Sequence, residues 1–388
     1  GMEYPDEAYK ERKDIKFVIA PQLQVTSQRM FSKCSKLTQI FAPNLQKIDS
    51  DQKICQLGTF EYTLLTELHF HILTHTGIQT FANCRQLQSV ELQCETIGEA
   101  AFYCSSLQTL SLPKAKSIGK NAFCGCKQLK SAELPLCLQV ADLAFTHCSA
   151  LQNINLESVV KIGDGSFYSC NKLQSVVLPM CETIEEGAFC YCSALSILKL
   201  DKVKIIPKHG FTGCGKLKLL DLPQCEDVGE CAFEDCYQLQ VVILENVLVV
   251  GDSAFVNCGE LTTVHIPKCK LIEACAFSGC ALEETNFKNV KKVGDYVFSG
   301  CSETLSINLP KCKEFGLQVF QRCLKLEYVN IRNATLLINQ DGEPQKLNCF
   351  WGCRALRQID TEMSADDFVC TDDHCNKNRT CPVCRGTF

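Results

Sequence analysis

Apolar and polar positions alternate in short bursts that recur along the chain at a fixed interval. In the stretch from Leu173 to Ala194, LQSVVLPMCETIEEGAFCYCSA, Val176 and Leu178 fall on one side of an extended backbone, while Ser175, Val177 and Pro179 fall on the other. Leu173 tucks inward at the entry, and the period of two is that of a strand. The next 22 residues from Leu195, and the 22 after that from Leu217, carry apolar or small residues at the same offsets. Aligning on the Phe of each unit gives fifteen positions from Phe31 to Phe350, with a usual step of 21 or 22 residues. Self-similarity at a fixed period predicts a stack of supersecondary units. A strand that recurs every turn in one direction makes a parallel sheet, and the Pro that closes many of these strands sits where no ladder donor is needed.

The predicted fold is an α/β repeat solenoid with one continuous parallel sheet and a short helical or 3₁₀ segment around the IGxxAF piece on the opposite side. Residues 1–14 read as a charged cap or tail, 15–364 as the solenoid of about 15–16 turns, and 365–388 as a Cys-rich tail. Ile15, Val18 and Ala20 take the inward strand positions of the first turn. The second turn is about six residues longer than standard, with its excess near Asp49 to Leu57, and lacks a Cys after Phe60. One-residue slips fall near Cys104, Leu282 and Thr304, and Asn339 to Gln345 reads as an exposed loop.

Written as a consensus, the units run LxxLxLPxCxxIGxxAFxxC. This resembles the leucine-rich repeat and, more narrowly, its BspA-like subclass, marked by the LP and AFxxC pieces, over roughly residues 15 to 364. The resemblance implies a right-handed superhelix and a non-enzymatic protein that binds other molecules on its strand-lined face, in some cases in adhesion. It also implies the cell surface, where many such proteins of bacteria and of parasitic or commensal protists are found.

Composition narrows the partners. A net charge of −5 and a pI near 5.9 argue against nucleic acid and anionic membrane, which call for a basic stripe. No apolar run reaches the ~18 residues of a membrane span. The opening GMEYPDEAYKERKD lacks the apolar core of a signal peptide. Gly1 before Met2 looks like a tag remnant, so the native chain is expected to begin at Met2.

Thirty cysteines would ordinarily point to a disulfide scaffold, but their positions argue otherwise. Fourteen (Cys34, Cys84, Cys104, Cys126, Cys148, Cys170, Cys192, Cys214, Cys236, Cys258, Cys280, Cys301, Cys323 and Cys353) recur at one place in successive turns. A second set, Cys137, Cys181, Cys225, Cys269 and Cys312, alternates with Val159, Val203, Val247 and Val290. Exchange of Cys with Val marks a small apolar core site filled by a reduced thiol. Such a core leans toward a reducing, cytoplasmic compartment, against the surface location that the resemblance implies.

No Ser-His-Asp context, GxxxxGK loop or HExxH signature is present. The candidate binding face is the outward side of the middle strands: Val177, Ile197, Lys199, Leu219, Asp221, Val241, Ile243 and His265. Its apolar members either answer strand propensity alone or form a patch for a protein partner or for self-association, with a glycan as the other ligand class. Two features speak for a metal-dependent module or an enzyme instead. Glu67, His69 and His71 fall on one outward strand face with Glu91 one strand over, either as a plain solvated face or as a metal site. At the C-terminus, Cys370, Cys375, Cys381 and Cys384, with the CPVC knuckle and His374 as a substitute ligand, fit a structural zinc site, two disulfides or free thiols. Sequons at Asn333 and Asn378 matter only in a secreted eukaryotic chain.

Overall fold

A computed structural model describes residues 7–27, 29–48, 58–68, 70, 72–335, 337–338, 344–345 and 348–368. It divides into two units, Gly1–Leu200 and Asp201–Phe388. In each, the period-2 segments are three-residue strands that pair in parallel, one turn apart. In the first unit Ser89–Glu91, Thr109–Ser111, Ser131–Glu133 and Asn153–Asn155 form one such ladder, and Ser175–Val177 pairs with Ile197–Lys199. In the second, Leu219–Asp221, Val241–Ile243 and Thr263–His265 form one ladder, and Glu284–Asn286, Ser306–Asn308, Tyr328–Asn330 and Gln358–Asp360 form another. The single continuous sheet expected from the repeat is therefore interrupted even within a unit.

The helical segments expected opposite the strands are absent among the described residues, where the one helix is a 3₁₀ turn at Ala365–Asp367. In their place stands a second parallel ladder of two-residue strands, from Thr96–Ile97 to Thr183–Ile184 in the first unit and from Ile205–Ile206 to Glu314–Phe315 in the second. A column of tight turns follows it. The residues two before and two after most of these Phe residues carry left-handed backbones, as at Leu143 (φ 56°) and His147 (φ 59°) around Phe145. A positive φ at every fourth residue prevents a right-handed helix from propagating. The N–H groups then alternate in direction. Those of Leu143, Phe145 and His147 donate to the next turn at 2.7–2.8 Å, while those of Thr146 and Cys148 close turns within their own repeat.

Each turn contributes one Phe to a stacked column. Phe145 and Phe167 lie 5.2 Å apart at 3° in the first unit, and Phe233 and Phe255 lie 5.4 Å apart at 6° in the second. Tyr9 extends this column ahead of Phe31, at 5.4 Å, and is flanked like the Phe residues by left-handed Glu7 and Glu11. Inward strand residues complete the core, with Leu173, Val176 and Leu178 at 0–2% exposure while Val177 is 46% exposed. Toward the C-terminus Phe368 tilts against Phe350, and the Arg322 guanidinium lies 5.0 Å over the Trp351 ring. The extra length of the turn after Leu326 includes an antiparallel pair, Leu337–Ile338 with Pro344–Gln345, whose second strand takes the last two residues of the loop expected over Asn339 to Gln345. The excess near Asp49 to Leu57 lies outside the described residues.

All the described cysteines are free thiols. Thirteen of the fourteen repeat positions are buried three residues after the Phe (Cys148 and Cys258 are 0% exposed), and the second set is buried with its alternating Val residues. Cys104 is the correction. Its turn spaces Cys only two residues after Phe102, a place that the left-handed backbone (φ 52°) turns outward. Ser105 fills the core position and meets the Cys126 thiol at 3.3 Å. Thr63 does the same after Phe60, with its hydroxyl donating to the Phe60 carbonyl at 2.8 Å. Burial holds these thiols protonated. It pushes Cys84 and Cys126 up to about 12, and Cys137 and Cys181 up to about 11.

Candidate functional site on the strand face

The outward side chains of the three-residue strands form a face in each unit. In the first unit, Ile197 stands beside Ser175 and Lys199 beside Val177, with Val177 and Ile197 46% and 50% exposed. In the second, register sets Leu219, Val241 and Thr263 in one row and Asp221, Ile243 and His265 in the next. Leu219 is exposed and Val241 and Ile243 are half-buried, so the apolar strip of this unit has Leu219 as its most accessible member. His265 points outward, with Nε2 3.2 Å from Oε1 of Glu245.

Past His265 the ladder breaks before Glu284–Asn286, and the break has a cause in the sequence. The turn containing Leu282 is one residue short, since Phe277 and Phe298 are 21 apart, and Phe287 replaces the Leu or Ile that closes neighbouring strands. Its buried ring wedges 6.0 Å from Phe277 and 5.5 Å from Phe298. Those two column members lie 6.1 Å apart, against 5.3 Å for Phe255 and Phe277. Over this break lies a groove of about 1090 Å³ lined by Thr263, His265, Glu283, Ser306, Asn308, Lys325, Tyr328 and Asn330, among others. Burial raises the Tyr328 phenol above its usual value, and its bond to the Asp360 carboxylate adds to this. The slip near Leu282 was the signal for this groove, but spacing alone did not connect it to the residues of four different turns.

A second surface was also missed. On the first strands, Phe17 (63% exposed), Ile19 (79%) and Phe41 project outward, Ile19 beside Phe41 in register. The alternation Phe17-x-Ile19 carried that signal, but only the inward positions Ile15, Val18 and Ala20 were taken from this strand.

The other candidates fall partly or wholly outside the described residues. Glu67 and Glu91 are exposed, whereas His69 and His71 lie outside the described residues. Cys370, Cys375, Cys381 and Cys384, as well as His374, also lie outside them. No helix among the described residues is long and apolar enough to cross a membrane.

A chain of parallel-stranded turns, each with an inward Leu and a Phe in a stacked column, is a leucine-rich repeat protein. The profile of the BspA-type leucine-rich repeat region matches residues 3–130, 53–156, 116–240 and 226–357, so the chain belongs to that family. A leucine-rich repeat protein of Bacteroides ovatus is similar in fold, with a TM-score of 0.57 at 19% identity, over 84% of this chain and 82% of that one. A leucine-rich cell surface protein of Faecalibacterium prausnitzii aligns at 22% identity over 76% and 85% of the two chains, with a TM-score of 0.44. A leucine-rich repeat protein of Eubacterium ventriosum aligns at 16% identity over 88% and 91% of the two chains, with a TM-score of 0.42. No curated protein sequence matches the chain.

Proposed function

We propose that this chain is a non-enzymatic binding protein that takes a protein partner on the strand face of its second unit. The observation that carries the reading is the row of Leu219 and Val241 with Ile243 beside it, apolar side chains turned away from a core that is already filled. Exposed apolar residues in register on a rigid ladder give a partner burial without ordering cost, and Lys199-type and Asp221-type charges on the same kind of face supply a polar rim. Membership of a repeat family whose solenoids present such faces supports the same reading. Replacing Leu219, Val241 and Ile243 together by Ser tests it. The circular dichroism spectrum and melting should be retained, while proteins captured from the source cell by the intact chain should be lost. Unchanged capture returns the strip to strand propensity.

The groove beyond His265 favours a second ligand class, a glycan, because hydroxyl, amide and phenol groups converge there around a concave surface. Tyr328→Ala with Asn330→Ala separates the two readings. It should abolish binding on a glycan array if a sugar is the ligand, and should leave capture of a protein on the Leu219 strip intact.

A further inference from the structure

Away from the strand face, the second unit brings a nitrogen, an oxygen and a sulfur ligand together. His209 and Cys231 hold the same place in successive turns, two residues before Phe211 and Phe233, on left-handed backbones of φ 54° and 52°. This sets them one rung apart, and the His209 N–H donates to the Glu230 carbonyl at 2.9 Å. A ring nitrogen of His209, Sγ of Cys231 and a carboxylate oxygen of Glu230 all lie within 4.8 Å of one another. Movements of an ångström or two would bring three such atoms onto one ion at ligand distances of about 2.0–2.3 Å.

The surroundings prepare each group for that role. The single proton of the Thr212 hydroxyl is directed to the Cys231 carbonyl at 2.5 Å, so towards His209 Nδ1, at 3.3 Å, its oxygen accepts. Nδ1 then carries the hydrogen and Nε2 keeps the lone pair, the arrangement by which second-shell groups orient a ligating imidazole. Lys208 lies 2.9 Å from Oε2 of Glu230 and fixes that carboxylate beside the other two groups. The Cys231 thiol is half-buried and hydrogen-bonded to the Glu234 carboxylate, with Glu230 and Asp252 adding negative charge. A field of that sign opposes a lone thiolate and favours a cation at the same point.

We propose that His209, Glu230 and Cys231 form a site for one divalent ion of the zinc class, with water in the fourth position. A mixed N, O and S donor set selects a borderline-soft ion over magnesium or calcium. On loading, the S–H bond of Cys231 breaks as the S–metal bond forms, and the proton leaves to solvent by way of Glu234. No electron is transferred. The ion ties the turn of Phe211 to that of Phe233 at the edge remote from the strand face.

Cobalt(II) is a suitable probe because a thiolate ligand gives it a charge-transfer band that zinc lacks. The titration uses the full chain carrying Ser in place of Cys370, Cys375, Cys381 and Cys384, so that tail thiols do not report. One equivalent of cobalt should bind with a thiolate band and release close to one proton. Cys231→Ser should remove the band, and His209→Asn should weaken binding at least tenfold. Both substitutions suit the backbone, since Ser253 (φ 56°) and Asn121 (φ 55°) occupy the equivalent place in other turns. An unchanged band and affinity in both variants, or cobalt bound with no thiolate band in the parent, would overturn the assignment.

Discussion

The Cys148 thiol donates to the Phe123 carbonyl at 3.2 Å, joining one turn to the turn before it. The pattern repeats at Cys170 on Phe145, Cys258 on Phe233 and Cys323 on Phe298, at 3.1–3.3 Å. A Phe carbonyl bonded in this way serves twice, since Phe145 also accepts the Cys148 N–H at 3.0 Å. A weak thiol donor satisfies the second lone pair of a buried carbonyl, where an apolar side chain would leave it bare. Ser105 and Thr63, the two departures from Cys, are hydroxyl residues, and each meets the thiol of the following turn, Cys126 at 3.3 Å and Cys84 at 3.4 Å. The second set bonds locally, Cys137 to the Gln139 carbonyl at 3.3 Å, and there Val is accepted in alternate turns.

Mild alkali should therefore unfold the protein. The folded state holds Cys84 and Cys126 near 12 and Cys137 near 11, against an ordinary value of 9.0, so above pH 9 the native chain keeps protons that the unfolded chain loses. Stability is full below pH 9 and falls as pH rises through the window up to about 11–12, by about 1.4 kcal/mol per pH unit for each such thiol. Urea melts from pH 8 to 11 under a reductant should show this steep loss, and Cys137→Val should reduce the slope by one thiol's share. A flat profile to pH 11 would contradict a buried thiol core.

Removing one ring from the column tests the coupling between turns. Phe233 is fully buried and stacks 5.4 Å from both Phe211 and Phe255. Phe233→Ala should cost about 3–5 kcal/mol. Because repeats contact only their neighbours, hydrogen exchange should quicken first in the turns of Phe211 and Phe255. Uniform acceleration across the second unit would show that the turns are not separable in this way.

Much of this architecture was legible in the sequence, because a stack of identical turns writes its core as a period. Leu173, Val176 and Leu178 could be placed inward from alternation alone. The helical expectation failed at Phe−2 and Phe+2. Gly165 and Gly187, with Gly125, Gly213 and Gly279, mark those places as left-handed, yet Leu143, Tyr191 and His209 adopt the same backbone and hide the rule. The strand-face candidates were found as strand positions, whereas the groove gathers residues of four turns across a break in strand pairing, which no local pattern encodes.

The zinc site expected at Cys370, Cys375, Cys381 and Cys384 stands as a proposal. Protein purified without added metal should then carry zinc that is lost on mild acidification or to a strong chelator, since thiolates bind only when deprotonated. The share assigned to the tail should disappear with Cys381→Ser and Cys384→Ser and persist in Cys231→Ser. Elemental analysis showing no zinc in the intact protein, with the tail thiols fully alkylatable or oxidised, would remove that site.

The claim that the strand face of the second unit is the binding surface is tested most directly by photo-cross-linking. A benzophenone side chain placed at Leu219, 51% exposed on that face, should form an adduct with a partner protein from the source cell. The same group at Ile205, 61% exposed on the two-residue ladder of the same unit, should not. An adduct formed at Ile205 and not at Leu219 would contradict the assignment.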